Sequence, residues 1–113
     1  MSLYAQFVRE MAGGEVIETD AGFISYLIEG EVCRFQELFV KADARGTGLH
    51  KSLWNAMIAT CKQRDVKRVV WVVDTKQLNP TPRLIMYLRW GARVKDAQNN
   101  CIVLEYDLCL GQQ

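Results

Sequence analysis

The stretch from the strand that ends at Val40 to Asp74 most restricts what this chain can fold into. Leu49, Leu53, Trp54, Met57, Ile58 and Cys61 recur at helical spacing, and Lys51, Asn55, Lys62 and Arg64 supply a wet face, which predicts one helix over residues 48 to 64. "KRVVWVVD" follows after a short connection as a nearly continuous apolar run, the pattern of a strand buried on both faces. A strand, a helix and a strand in that order call for a parallel crossover with a right-handed connection. The chain must therefore contain a sheet with at least one helix across its face.

The rest of the sequence fits around that unit. In "LYAQFVREMAGG", Leu3, Phe7 and Met11 recur every fourth position before a glycine pair, which suggests a short helix closed by a glycine cap. "EVIET" reads as a short strand, and "GFISYLIEGEVCRFQELFV" as two more that meet at Glu29-Gly30. Beyond Asp74, "TKQLNPTP" reads as loop, because two prolines within three residues oppose a regular helix before residue 82. Arg83 to Trp90 is then a helix stopped by Gly91, and "ARVKD" and "CIVLEYDLCL" close the chain as strands around the turn-forming "AQNN". The order α-β-β-β-α-β-α-β-β describes an α/β (α+β) mixed sheet with helices on its faces. At 113 residues, one domain over 1–113 with one core and one site is expected.

Charge and cysteine usage narrow the function classes. Net charge is only +1, which argues against a nucleic-acid binder, but its distribution is uneven. Residues 1 to 37 carry −5, residues 38 to 95 carry +9 and residues 96 to 113 carry −3. A small polyanion would be favoured in the middle segment, and an acidic flank favours a cationic second ligand. No apolar run approaches the ~20 residues that cross a bilayer, and "MSLYAQFVRE" lacks a signal peptide's basic start and cleavage site, so no membrane role and a cytoplasmic location are expected. Cys33, Cys61, Cys101 and Cys109 form no Cys-x-x-Cys pair and join no histidine cluster, so no metal is expected and the thiols read as reduced and structural.

The middle segment contains "ARGTGLHKSLW", residues 44 to 54, in which two glycines follow a strand and open a helix. There, unpaired backbone N–H groups and the positive end of the helix dipole can meet an anion. Glycine permits the torsions and the close approach, while Arg45 and Lys51 add full charges. The spacing is neither that of the nucleotide-hydrolase P-loop nor that of the dinucleotide fingerprint. A turn that merely starts a helix remains the plainer reading of the glycines alone.

The stretch resembles the pyrophosphate loop of the GNAT superfamily of N-acetyltransferases, with Arg45, Gly46, Thr47, Gly48 and Leu49 in the loop pattern and His50 where the family keeps a small residue. "LFVKADARGTG" is similar to the family's strand-to-loop segment, and "NPTPRLIMYLRWGA" to its second motif, an Asn before a helix that carries a Tyr four residues ahead of a Gly. On that resemblance Leu38 and Val40 pair through their backbones with the pantetheine arm of acetyl-CoA. Arg45, Gly46, Thr47, Gly48, Leu49, His50 and Lys51 cradle its diphosphate, and Asn79 and Arg83 contact the cofactor farther along. The family's first strand and part of its first helical region have no counterpart, so this is a short member.

The resemblance implies an N-acetyltransferase that passes acetyl from acetyl-CoA directly to a primary amine, with Tyr87 as the acid that protonates the departing thiolate. The backbone N–H of Leu38 or a neighbour would serve the oxyanion. Glu37 and Asp74 are both candidates for the base, and ordered water can replace either. The shortened acceptor wall fits a large acceptor such as a protein terminus or lysine, or a wall supplied by a second copy in a homodimer. Together with His50 it also fits a protein that has lost catalysis and acts as an interaction module.

Overall fold

Parallel strands that separate after a few residues set the architecture. In the computed structural model, which describes residues 2–76 and 80–109 without the side chains of residues 11 and 12, the described residues form one six-stranded sheet. The strands are β1 (Glu15–Thr19), β2 (Gly22–Glu29), β3 (Val32–Val40), β4 (Arg68–Asp74), β5 (Arg93–Gln98) and β6 (Cys101–Asp107), in the spatial order β1-β2-β3-β4-β6-β5. Helix α1 (Leu3–Phe7) precedes β1, α2 (Leu49–Gln63) joins β3 to β4, and α3 (Pro80–Arg89) joins β4 to β5. The order is that expected from the sequence, and the crossover between β3 and β4 is parallel.

That parallel seam is short. Only Val32, Cys33 and Arg34 pair with Arg68, Val69 and Val70, and beyond them the two strands part. Every other neighbouring pair in the sheet is antiparallel and longer. The sheet is thus two three-stranded halves joined at one end.

A bulge in β3 reorients the strand just where it leaves β4. Against β2 the register runs Ser25 to Glu37 and then Tyr26 to Phe35, so Gln36 is an extra residue without a partner. One extra residue exchanges the faces of everything after it. Cys33 and Phe35 before the bulge, and Leu38 and Val40 after it, all face the core, while Glu37 and Phe39 turn to the opposite face. Gly22 opposite Val40 lets the backbones approach, because a Cβ there would lie 2.4 Å from the Phe39 carbonyl oxygen.

Helices α2 and α3 share one face of the sheet, where Trp54 is the hub of the core. Its ring lies 5.2 to 6.3 Å from those of Phe35, Trp71, Tyr87, Trp90 and Tyr106, mostly edge to face. Helix α1 lies on the other face, where Tyr4 packs on Phe23. Its glycine cap is borne out, since Gly13 takes φ +69 after a π-helical turn at Val8–Ala12. The apolar stripe does not mark its buried side: Ala5 and Val8 are buried, whereas Leu3 is 82% and Phe7 59% exposed.

Two further expectations are corrected. Strand β4 is buried on one face only, with Val69, Trp71 and Val73 in the core and Val72 56% exposed on the face that α2 and α3 leave uncovered. Its continuous apolar run reflects β-propensity as much as burial. Helix α3 begins at Pro80, not after Pro82, because N–H groups in a first helical turn need no helical acceptor and proline removes nothing there. The closing hairpin turns through Asn99 and Asn100, at φ +49 and +68, as a two-residue loop of left-handed residues requires.

Candidate active site between the diverging strands

Where β3 and β4 part, they leave a gap through the sheet. It holds a cavity of about 360 Å³, lined by Phe35, Leu38, Trp71 and Tyr87 from the core side and by Glu37, Phe39 and Val72 from the other. A second cavity of about 360 Å³ lies at the mouth toward the glycine loop, with Val40, Arg45, His50, Pro82 and Met86 in its lining. Leu38, Phe39, Arg83 and Tyr87 line both. Tyr87 thus stands where the two cavities meet.

The mouth is built by local sequence. Gly46 and Gly48 adopt φ +80 and +87, torsions that a side chain would strain, and an added Cβ at either would meet no atom within 4 Å. Thr47 Oγ1 donates to the Ala44 carbonyl at 2.6 Å and closes the turn. Gly48 is the N-cap of α2 and provides no side-chain cap, which leaves the first-turn N–H groups to the loop's open side. Arg45 stands at the rim with its Nε donating to the Val40 carbonyl at 3.1 Å. His50 is half-buried beside it, and burial, then the charges of Arg45 and Arg83, hold its pKa below the ordinary histidine range, so the ring is neutral near pH 7.

Not every residue of the expected cradle faces the mouth. Lys51 Nζ sits 5.0 Å from the centre of the Trp90 ring, a cation–π contact to the turn after α3, and burial lowers its pKa. Leu49 packs against the core. Asn79 lies outside the described residues.

The edge of β3 that faces the gap is left unpaired by β4, with the Val40 carbonyl taken by Arg45. Lys41 N–H donates to the Ala21 carbonyl on the β2 side, at 2.8 Å. Alternation then turns the backbone groups of Val40 and Leu38 toward the gap. Tyr87 is 6% exposed, held edge-on by Phe35 and Trp71 at 5.8 and 5.3 Å. Burial pushes its phenol up to about 12, against the pull of the Arg83 charge, so it stays protonated throughout the neutral range.

The two carboxylate candidates part company. Glu37 lines the gap, and its Oε1 accepts a 2.6 Å hydrogen bond from the Tyr4 hydroxyl. Asp74 lines neither cavity, and its Oδ1 accepts from the Lys76 N–H at 2.9 Å. Nothing in the sequence singles out Tyr4, Phe39 or Val72. The bulge did leave a trace: apolar positions pass from odd, Cys33 and Phe35, to even, Leu38 and Val40, across Gln36-Glu37.

Among the described residues no group of three His, Cys, Asp or Glu could hold a metal ion, and no helix is long and apolar enough to cross a membrane. All four cysteines are free. Cys33 and Cys61 meet in the core, where the hydrogen bond to Cys61 and then burial push the Cys33 thiol far up.

Comparison with known proteins agrees with this geometry. The model of the acetyltransferase (GNAT) family matches residues 6–91, and the chain belongs to that family, whose enzymes transfer acetyl from acetyl-CoA. No curated protein matches the chain. Solved structures share its fold at low identity. The PaiA N-acetyltransferase of Thermoplasma acidophilum, in complex with coenzyme A, superposes with a TM-score of 0.75 at 16% identity, over 90% of this chain and 67% of that one. A GNAT family acetyltransferase from Elizabethkingia anophelis with acetyl-CoA bound gives 0.72 at 16% identity, over 94% and 83%. The ribosomal-protein-S18-alanine N-acetyltransferase of Escherichia coli gives 0.73 at 13% identity, over 96% and 77%.

Proposed function

We propose that this chain, as one catalytic domain, transfers the acetyl group of acetyl-CoA to a primary amine by direct attack. The observation that carries the reading is the meeting of the two cavities at Leu38, Arg83 and Tyr87, which joins a cationic mouth to a carboxylate-bearing gap. The residues present suit the cosubstrate. Arg45, Arg83 and the glycine loop offer charge and N–H donors to a diphosphate, and the open β3 edge offers Leu38 and Val40 to an amide-bearing arm. Bound acetyl-CoA supplies the activated thioester.

The chain's own residues then divide the work. The N–H of Leu38 donates to the carbonyl oxygen as charge develops on it. Tyr87 holds a proton at its Oη for the departing sulfur, and a phenol that stays protonated to about pH 12 is always in the state needed. Glu37, in the lining of the gap, takes the amine proton directly or through water, in preference to Asp74. The Escherichia coli relative's name makes its acceptor an alanine of a ribosomal protein, so a protein amine belongs in the substrate screen beside small amines.

Calorimetric titration with acetyl-CoA tests the reading. Binding should weaken with salt, and by about tenfold in Arg45→Ala, as expected for one charge-assisted phosphate contact. No heat at millimolar acetyl-CoA would overturn it.

A further inference from the structure

Glu37 reaches the gap by an indirect route. The bulge at Gln36 turns its side chain away from the core and onto the face that carries α1. There Tyr4, 33 residues earlier in the chain, donates its hydroxyl to Glu37 Oε1 at 2.6 Å. The phenol is itself held in place, since its ring packs 4.9 Å from Phe23, and Phe23 packs 5.9 Å from Phe39. Ser2 secures the helix beneath: its hydroxyl accepts from the Ala5 N–H at 3.0 Å, and its own N–H donates to Glu18 at 3.1 Å.

The arrangement is directional. Burial, and then the bonded carboxylate, raise the Tyr4 pKa, while the Ser25 hydroxyl pulls the other way. The phenol therefore remains a donor, and Glu37 remains an acceptor with one oxygen fixed. Ser25 is the cross-strand neighbour of Glu37 on β2, and Arg83 of α3 lines the same gap from the core side. Tyr4 lines neither cavity, so it meets a ligand only through Glu37. Phe39 and Val72 flank the opening as exposed apolar side chains, 48% and 56% accessible, on β3 and β4 respectively.

We propose that Tyr4 is a positioning residue for acetyl transfer: its hydroxyl fixes the Glu37 carboxylate at the rim of the β3–β4 gap, where it receives an acceptor ammonium attached to an apolar body. This rests on the transferase reading above. An ammonium suits a carboxylate held at one oxygen and open at the other, and the apolar body suits Phe39 and Val72. The ammonium first gives one proton to the free Glu37 oxygen or to a water on it, which passes it to solvent. The neutral nitrogen then forms its bond to the acetyl carbon and gives its second proton by the same route, while the carbon–sulfur bond breaks with Tyr87 protonating the sulfur and regaining its own proton from solvent.

The test uses the full chain with acetyl-CoA and phenethylamine, a primary amine with an apolar body, as the acceptor probe. Tyr4→Phe should lower kcat/KM for the amine about tenfold and leave acetyl-CoA affinity unchanged, the loss of one hydrogen bond to a charged group. Glu37→Gln should lower it further, and Tyr4→Phe added to Glu37→Gln should do nothing more, since the first acts only through the second. Additive losses, or an equal loss of acetyl-CoA affinity, would overturn the proposal. A second readout needs no turnover: the Tyr4 Cζ resonance, assigned by its absence in Tyr4→Phe, should titrate at lower pH in Glu37→Gln. An unmoved Tyr4 titration overturns the pairing even if acetyl-CoA binds. Failure of acetyl-CoA to bind while the Tyr4 titration moves as expected would instead overturn the transferase reading, and the positioning role with it.

Discussion

The two ends of the gap are assembled in different ways. At the mouth, Arg45 and His50 come from one short stretch, with its turn set by glycine torsions and Arg45 bonded to the end of the preceding strand at Val40, while β3 and α3 complete the lining. At the far rim, Glu37 depends on an unpaired residue in β3 and on a tyrosine from the first helix. A locally encoded site tolerates changes elsewhere in the fold, whereas one held by distant elements fails when any of them moves. Binding of the cosubstrate should therefore be the more robust of the two functions, and handling of the acceptor the more fragile.

Deleting Gln36 would break this contrast most severely. Glu37 and Phe39 would turn inward and Leu38 and Val40 outward, burying an unpaired carboxylate, so chemical denaturation should show a loss of more than about 3 kcal/mol. A variant of near-normal stability would mean that the strand re-forms its bulge at a neighbouring residue.

Tyr87→Phe should sharpen it, because this residue lies where the two ends meet. Turnover should fall roughly a hundredfold or more with acetyl-CoA affinity preserved, as for the loss of a general acid. In the unaltered protein the rate should not fall on account of Tyr87 as pH rises to 10, since its proton is held to about pH 12. The same raised pKa makes its contribution to stability complete below pH 10 and lost as pH rises through about 12.

The smallest effect tests the mouth alone. His50 is neutral near pH 7, and its protonation at lower pH adds a third positive charge beside Arg45 and Arg83. Affinity for coenzyme A should therefore rise as pH falls below the ordinary histidine range, by roughly threefold to fivefold for about 1 kcal/mol of partly screened charge. His50→Gln should bind with no such rise. A profile identical to that of the unaltered protein would place the titration elsewhere.

The same contrast explains what could be read in advance. The glycine loop and the helix carrying Tyr87 are each a continuous stretch of sequence, so each could be recognised by its resemblance to a family motif, with helix-end electrostatics in support for the loop alone. The element order was legible for a similar reason, since each strand and helix carries its own periodicity. The early start of α3 was not, because two prolines look like an obstacle until they occupy the turn that needs no donors. Val72 misled because β-branched residues suit a strand whether or not a helix covers them. The Tyr4–Glu37 pair joins residues 33 apart across a bulge, and only the shift of apolar parity across Gln36 hinted at it.

The three-pair seam between β3 and β4 has a mechanical consequence. Two stiff blades riveted at one end need something between them to hold their tips apart, and here that wedge is aromatic: Phe35 and Trp71, one from each blade, with Tyr87 against both. The rings that bind the helices to the sheet thus also set the aperture. Trimming one would not simply loosen the interior. It would let the blades close, so in this molecule resistance to unfolding and room for a ligand draw on the same few side chains.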